Sequence, residues 1–214
     1  MQKKVSVLVF ALLVFVHSGA IAQNFDINIL EKLNRVEETY CVSRVVSNTS
    51  SYLEAGVPVL IVGAALLGNN DALLKTGLYI GASFCVNIAA TYAVKHIVRR
   101  PRPRITYPDR IIWYEDMRTN SFPSGHTSAA FNTATSLTVS FPKWYVIAPS
   151  FLWASFVGYS RMNLGVHYPS DVLCGAALGS ASALLTWKAN NWFRSRHKNR
   201  LLRNKKLESE PAWY

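Results

Sequence analysis

The stretch from Thr76 to Val94, TGLYIGASFCVNIAATYAV, contains no charged residue and lies between Lys75 and Lys95. A helix needs about 20 predominantly apolar residues to cross the hydrocarbon core of a bilayer, and about 17 is the lower limit. The length and composition of this stretch therefore indicate a membrane-spanning helix. Its glycine and alanine residues allow neighbouring spanning helices to approach it closely.

Four further runs without charged residues share this composition, at residues 55–70, 127–142, 144–160 and 172–187. Charged residues make up 16% of the chain, against about 25% in soluble domains. Alternation of apolar and polar residues, which is typical of strands, is rare. We therefore predict an all-α fold, a helical bundle of five to six transmembrane helices. A soluble bundle with apolar core helices is the alternative.

The N-terminus has the features of a secretory signal. Two lysines precede an apolar run from Val5 to Val16, and an Ala-x-Ala sequence ends at Ala22. Residues 1–22 are accordingly predicted to be a signal peptide, with an uncleaved first transmembrane helix as the alternative. Both place the next residues on the outer side of the membrane, where residues 23–52 are predicted to form a periplasmic amphipathic segment.

The net charge of +11 is concentrated in two places. One is the tail at residues 191–214, which the positive-inside rule assigns to the cytoplasm. A chain that starts outside and crosses the membrane five times also ends in the cytoplasm. The second cluster, between Lys95 and Arg104, then lies outside, against the rule, and a phosphate-binding site explains it. We therefore expect a membrane and a phosphorylated lipid as partners, and no nucleic acid.

Two segments carry groups that bind or transfer phosphate. Residues 95–103 read KHIVRRPRP, and lysine and arginine side chains neutralise phosphate oxygens. Residues 121–127, SFPSGHT, lead into an apolar run. Ser124 is predicted to cap the helix there, and Gly125 allows the backbone to approach an anion at the helix N-terminus. His126, in the first turn, can donate a proton to a leaving oxygen.

A third segment, residues 160–171, reads SRMNLGVHYPSD. Arg161 offers another phosphate ligand. Pro169 suits the first turn of a helix, so His167 is expected beside the helix start. Asp171 follows four residues later and is expected on the same side. A carboxylate bonded to one imidazole nitrogen leaves the other nitrogen a better nucleophile.

Together the three segments resemble the motif set of the type 2 phosphatidic acid phosphatase family, which includes bacterial acid phosphatases and vanadium haloperoxidases. The pattern is Lys, six residues, Arg-Pro; then Pro-Ser-Gly-His; then Ser-Arg, five residues, His, three residues, Asp. No motif position departs from it. The resemblance implies a catalytic helical membrane domain at residues 53–190 with its active site at the periplasmic end.

The resemblance also implies the role of each residue. His167 is then the nucleophile, Asp171 orients it, and His126 is the general acid. The implied phosphate ligands are Lys95, Arg102, Ser124, Gly125 and Arg161. Hydrolysis in the family needs no metal and no cofactor, so none is expected here.

The function implied by the resemblance is hydrolysis of a membrane-lipid phosphate through a phosphohistidine intermediate in a bacterial inner membrane. The candidate substrates are undecaprenyl diphosphate, phosphatidylglycerol phosphate, phosphatidic acid and lipid A. A soluble periplasmic acid phosphatase of the same superfamily is the first alternative. A vanadate-dependent haloperoxidase and a scaffold that binds anionic lipids through the basic tail are the others.

Overall fold

The structure, a computed structural model, describes residues 19–115, 117 and 119–209. Within these ranges it is helical and has no strand, which confirms the predicted all-α class. Seven helices follow one another: α1 (Gly19–Asn34), α2 (Tyr40–Leu67), α3 (Asp71–Val98), α4 (Pro103–Thr106), α5 (Gly125–Ser140), α6 (Trp144–Asn163) and α7 (Pro169–Ser209). The predicted signal peptide at residues 1–22 lies outside the described residues, apart from the first turn of α1.

Helix α5 lies at the centre of the bundle and contacts α2, α3, α6 and α7. Its buried side chains are largely polar. Asn132 Nδ2 donates to Ser83 Oγ at 2.9 Å and to the Gly179 carbonyl oxygen at 3.2 Å. Ser128 Oγ donates to Asn87 Oδ1 at 2.7 Å. Hydrogen bonds of this kind join helices in a bilayer, where apolar side chains gain little by facing each other rather than lipid.

The outward faces of α2, α3 and α7 are apolar instead. Leu60 is 73% exposed and Leu173 is 71% exposed. Among the described residues, three segments are long and apolar enough to cross a membrane, judged by length and composition: Glu37–Leu67, Asp71–Thr106 and Pro169–Arg196. Exposed apolar surface of this extent is expected to contact lipid. That the two further apolar runs, in α5 and α6, also span the membrane stays a prediction.

The N-terminal part of the bundle consists of two helices joined by a short 3-10 turn, Glu37–Thr39. Helix α2 begins at Tyr40 and continues through residue 52 into the first apolar run. Helix α1 is separate and lies across one end of the bundle, where Ile27 and Leu30 are buried against Ile111 and Tyr168. The segment predicted at residues 23–52 is therefore divided between an end-covering helix and the start of a spanning one.

Asn34 fixes the end of α1. Its Nδ2 donates to the carbonyl oxygens of Ile112 and Asn163, at 2.8 and 2.9 Å. Its Oδ1 accepts from the Ile112 backbone N–H at 2.8 Å. The loop after α4 and the end of α6 are thus held by one side chain of α1.

Gly179 marks a close approach of α7 to α5. A Cβ at this position would collide with the Ser128 carbonyl oxygen and would lie 2.9 Å from the Asn132 backbone nitrogen. We expect Gly179→Ala to push the helices apart and to lower the free energy of unfolding by about 1–3 kcal/mol. Thermal unfolding in detergent measures this.

Gly63→Ala is the matched control, because no atom lies within 4 Å of a Cβ built at Gly63. Alanine also favours helix more than glycine does. The control should therefore be at least as stable as the unmodified protein. Equal midpoints of thermal unfolding for Gly179→Ala and for the control would contradict the close contact between α7 and α5 at Gly179.

Candidate active site

The three segments singled out in the sequence meet at one end of the bundle. The Ser124 backbone N–H donates to the Asp171 carbonyl oxygen at 3.0 Å, which joins the second segment to the third. Arg102 Nη1 donates to the Val166 carbonyl oxygen at 2.8 Å, which joins the first to the third. Residues brought together in this way come from the C-terminal ends of α3 and α6 and the N-terminal ends of α5 and α7.

A cavity of about 450 Å³, here called the main cavity, opens between α2, α3 and α5. Its wall includes five of the eight predicted site residues: Lys95, Arg102, Gly125, His126 and His167. Farther along α3 the wall consists of Phe84, Ile88 and Tyr92, and Ile88 is 51% exposed on the outer face of the bundle. The cavity therefore joins a cationic end to a surface that faces lipid.

His167 is buried between a cation and a carboxylate. Its Nδ1 lies 3.5 Å from Asp171 Oδ2, and its Nε2 lies 3.4 Å from Arg102 Nη1. His167 and Asp171 face each other as predicted, although His167 precedes α7, which begins at Pro169. Burial lowers the pKa of His167 from its ordinary value of 6.5, and the charge on Arg102 acts in the same direction, while the Asp171 carboxylate opposes the shift. The imidazole is therefore neutral at neutral pH.

Gly165 shapes the loop that carries His167. Its φ is +71°, in the left-handed region that favours glycine. A Cβ at this position would also meet the Ile112 carbonyl oxygen and the Ile111 side chain. The glycine therefore allows this loop to pass close beneath the loop that follows α4.

Asp171 is held on both carboxylate oxygens. Its Oδ2 accepts from Ser121 Oγ and from the Tyr168 backbone N–H, the latter at 3.0 Å. Its Oδ1 accepts from Arg100 Nη1 at 2.8 Å. The side chain is fully buried, so these contacts fix the carboxylate that faces the His167 ring.

Arg100 and Asp26 hold Asp171 in place and were not among the predicted site residues. Arg100 Nη2 donates to Asp26 Oδ2 at 2.9 Å while its Nη1 binds Asp171. Asp26 also accepts from the Ser170 backbone N–H at 3.0 Å. The sequence carried one signal for Asp26: it lies four residues before Leu30, on the apolar face of α1, where a charged residue needs a partner.

Arg161 is fully buried and only partly bonded. Its Nη1 donates to Glu115 Oε2 at 2.8 Å and to Ser47 Oγ. Its Nε and Nη2 have no hydrogen-bond partner in the described part of the chain. Leaving buried guanidinium donors without an acceptor is costly, and a phosphate is an acceptor that matches their geometry.

The remaining predicted ligands differ in whether their hydrogen-bond donors are already used within the protein. Lys95 Nζ donates to the Asn120 carbonyl oxygen at 2.7 Å and still lines the main cavity. Ser124 is at the N-cap position of α5, but its side chain accepts no hydrogen bond from the backbone of the helix. Its Oγ is hydrogen-bonded to Thr127 Oγ1 at 2.8 Å, and its backbone N–H donates to the Asp171 carbonyl oxygen. The donors left for an anion are the backbone N–H groups of the first turn of α5, which begins at Gly125.

The described residues contain no group of three His, Cys, Asp or Glu side chains placed to bind a metal ion. His126 lines the main cavity, and its side chain takes part in none of the hydrogen bonds described above. Its imidazole is thus available to a bound molecule. The site accordingly offers cations, backbone donors and two histidines to a phosphate group.

Residues 76–195, which contain all three segments, match the PAP2 superfamily. The chain belongs to that superfamily. An undecaprenyl-diphosphatase of Sulfolobus acidocaldarius is 33% identical over 113 residues, which cover 52% of this chain and 54% of the relative. A decaprenylphosphoryl-5-phosphoribose phosphatase of Mycolicibacterium smegmatis is 32% identical over 123 residues, covering 56% and 63%.

A lipid A 1-phosphatase of Porphyromonas gingivalis is 48% identical over a shorter stretch of 63 residues, covering 28% of this chain and 14% of the relative. The chain therefore spans less than two thirds of the length of each of these three PAP2 relatives. The matched parts support the family and leave the substrate of this chain to be argued from its own residues.

Two solved structures have the same fold. The transmembrane PAP2-type phosphatidylglycerolphosphate phosphatase of Bacillus subtilis superposes with a TM-score of 0.71 at 25% identity, covering 89% of this chain and 97% of that one. LpxE of Aquifex aeolicus gives a TM-score of 0.62 at 24% identity, covering 77% and 95%. The helical bundle of this PAP2 protein and the family resemblance predicted from its motifs are thereby confirmed.

The buried neutral state of His167 has a consequence for stability. Below pH 6.5 the unfolded chain binds a proton at His167 that the folded chain does not bind, because the folded-state pKa is lowered. The contribution of His167 to the free energy of unfolding should therefore fall on acidification from pH 6.5 to 5, with a slope that approaches about 1.4 kcal/mol per pH unit at the acid end of this range. Chemical unfolding in detergent over this range should show a smaller slope for His167→Asn. Equal slopes would contradict the buried neutral imidazole.

Proposed function

We propose that this protein is a phosphatase of a membrane lipid that works through a phosphohistidine on His167. The main cavity carries the proposal, because it leads from buried cations and a neutral imidazole to an apolar wall that faces the bilayer. A lipid phosphate has the matching division into an anionic end and hydrocarbon chains. The named activities of the relatives, on isoprenoid, lipid A and phosphatidylglycerol phosphates, support the same class.

In the first step the phosphate occupies the cationic end of the cavity. Its oxygens accept from Lys95, from Arg102 and from Nε and Nη2 of Arg161, which have no partner among the described residues. These cations neutralise the charge of the phosphate. Asp171 holds the proton on Nδ1 of His167, so the lone pair on Nε2 attacks phosphorus. The bond from phosphorus to the leaving oxygen breaks, and His126 donates a proton to that oxygen.

The second step regenerates the enzyme. A water molecule loses a proton to His126, attacks phosphorus and displaces Nε2 of His167. Inorganic phosphate leaves, His167 is again neutral and His126 is again protonated. The atoms and protons balance over the two steps with no metal and no cofactor.

We further propose that the site faces the periplasm of a bacterial inner membrane. The C-terminal part of α7 carries Lys188, Arg194, Arg196 and Arg200. The positive-inside rule assigns that end to the cytoplasm. The N-terminal end of α7, which holds Asp171, then lies at the opposite surface.

A soluble acid phosphatase is not favoured as an alternative. The exposed faces of α2, α3 and α7 are apolar over lengths that suit a bilayer. Such surfaces would associate in water unless a membrane or detergent covered them. The mature protein should therefore require detergent for solubility.

His167→Ala is expected to lower kcat at least about 1000-fold, because it removes the imidazole that accepts the phosphoryl group in the proposed mechanism. Phosphate release is measured in detergent with a chelator from undecaprenyl diphosphate, phosphatidylglycerol phosphate, phosphatidic acid, lipid A and p-nitrophenyl phosphate. His96→Ala is the control, since the exposed side chain of His96 contacts Tyr92 of its own helix, through the Tyr92 carbonyl oxygen and the Tyr92 ring, and does not line the main cavity. Comparable rates for the two variants would remove the nucleophile assignment, and release from the soluble ester alone would favour the acid phosphatase.

Asp26→Asn is expected to lower kcat about tenfold or more with little change in KM, because Arg100 loses a charged partner and Asp171 loses its fixed position. Glu31→Gln is the matched control. Glu31 lies on the same helix, and its ion pair with Arg110, at 2.6 Å, is partly exposed and shares no residue with the ion pairs that join Asp26 to Arg100 and Arg100 to Asp171. An equal effect of the two substitutions would mean that α1 acts only by general packing.

A further inference from the structure

Glu54 lies within the membrane-spanning part of α2, and the mechanism above does not use it. Its side chain is 2% exposed, and it forms no ion pair with a described residue. Its Oε1 has no hydrogen-bond partner in the parts of the chain that the structure describes. A buried acidic group of this kind in a spanning helix is expensive, and such groups line sites where substrates or ions bind.

Glu54 lines the main cavity together with the catalytic groups. On the facing helix α5 the same wall contains His126 and Ala129, so the cavity extends about 5 Å, or one helical turn, deeper than His126. Ser51 and Asn87 are further polar members of the wall near this depth. When the phosphate of a lipid lies beside His126 and His167, Glu54 therefore faces the part of the lipid that connects the phosphate to its hydrocarbon chains.

A second cavity, of about 270 Å³, lies between α2, α5 and α6 and shares Glu54 with the main cavity. Its wall also includes Thr133 and Trp153. The Oγ1 of Thr133 and the Nε1 of Trp153 are buried and, like Glu54 Oε1, have no partner among the described residues. Polar atoms without partners are thus gathered around Glu54, although most of this wall is apolar.

An oxygen that lacks a donor is satisfied by a hydroxyl or an amide N–H group. Lipid phosphates differ in whether they carry such a donor near the phosphate. Glycerol-based and sugar-based lipids can carry a hydroxyl or an amide near the phosphate, whereas polyprenyl phosphates continue directly into hydrocarbon. We propose that Glu54 accepts a hydrogen bond from a hydroxyl or amide N–H group in the linker of the substrate and so selects lipid phosphates that carry such a donor. This inference rests on the proposed phosphatase function and names its substrate class.

The two probes are 1-oleoylglycerol 3-phosphate, which carries a hydroxyl donor at position 2, and its 2-O-methyl ether, which has a methyl group in place of that hydroxyl hydrogen. The unmodified protein should hydrolyse the free hydroxyl compound with a kcat/KM about tenfold or more above that of the ether, because the ether leaves the buried oxygen without a donor. Glu54→Leu should bring the ratio close to one. Glu54→Gln keeps a carbonyl oxygen at the same place and should retain most of the ratio.

Farnesyl diphosphate separates selection from a structural role, because it has no donor in its linker. Its hydrolysis by Glu54→Leu should equal that by the unmodified protein. Equal rates on the two oleoyl probes in the unmodified protein, or a ratio that survives in Glu54→Leu, would overturn the inference while the phosphatase function stands. A parallel loss on all three probes in Glu54→Leu would also overturn it. Absence of phosphate release from every lipid by the unmodified protein would remove the phosphatase function, and the inference with it.

Discussion

Positive charge buried at one end of the bundle is the constraint on which the rest of the structure depends. Arg102 and Arg161 are almost completely buried. Arg102 donates to the neutral oxygens of Thr119 and Val166. Arg161 has Glu115 as its ion-pair partner, and two of its nitrogens have no hydrogen-bond partner among the described residues. Cations can remain in such a place only if rigid surroundings hold them and an anion completes the site. The packing of this end therefore suits an anion, which we propose to be the phosphate of the substrate.

The rigid surroundings depend on Asp171. Its carboxylate receives donors from Ser121, Tyr168 and Arg100, and its backbone carbonyl receives the N–H of Ser124. One residue thus ties the first turn of α7 to the start of α5 and to the segment after α3. The same carboxylate orients the imidazole of His167, so the contacts that assemble the bundle at this end also set the geometry of the site.

The polarity of the bundle is reversed relative to a soluble protein. Ser128 and Asn132 are fully buried and hydrogen-bonded between helices, while Leu60 and Leu173 face outward. Polar contacts and close glycine packing, as at Gly179, hold the helices together where lipid supplies the apolar surroundings. This arrangement also explains how a carboxyl group such as Glu54 can lie within the bundle, facing a cavity rather than lipid.

The sequence by itself determined whatever depends on neighbours along one helix. The uncharged runs predicted an all-helical protein, the position of Pro169 placed the start of α7, and the spacing of His167 and Asp171 predicted that they would face each other. Only the tertiary structure joined Asp26 to Ser170, 144 residues away, and gave Arg100 its place on Asp171. It also placed Glu54 on the cavity wall. The physical reason is that each such contact depends on how a helix is rotated about its axis. In a bilayer helix that is apolar on nearly every side, the local pattern does not record that rotation.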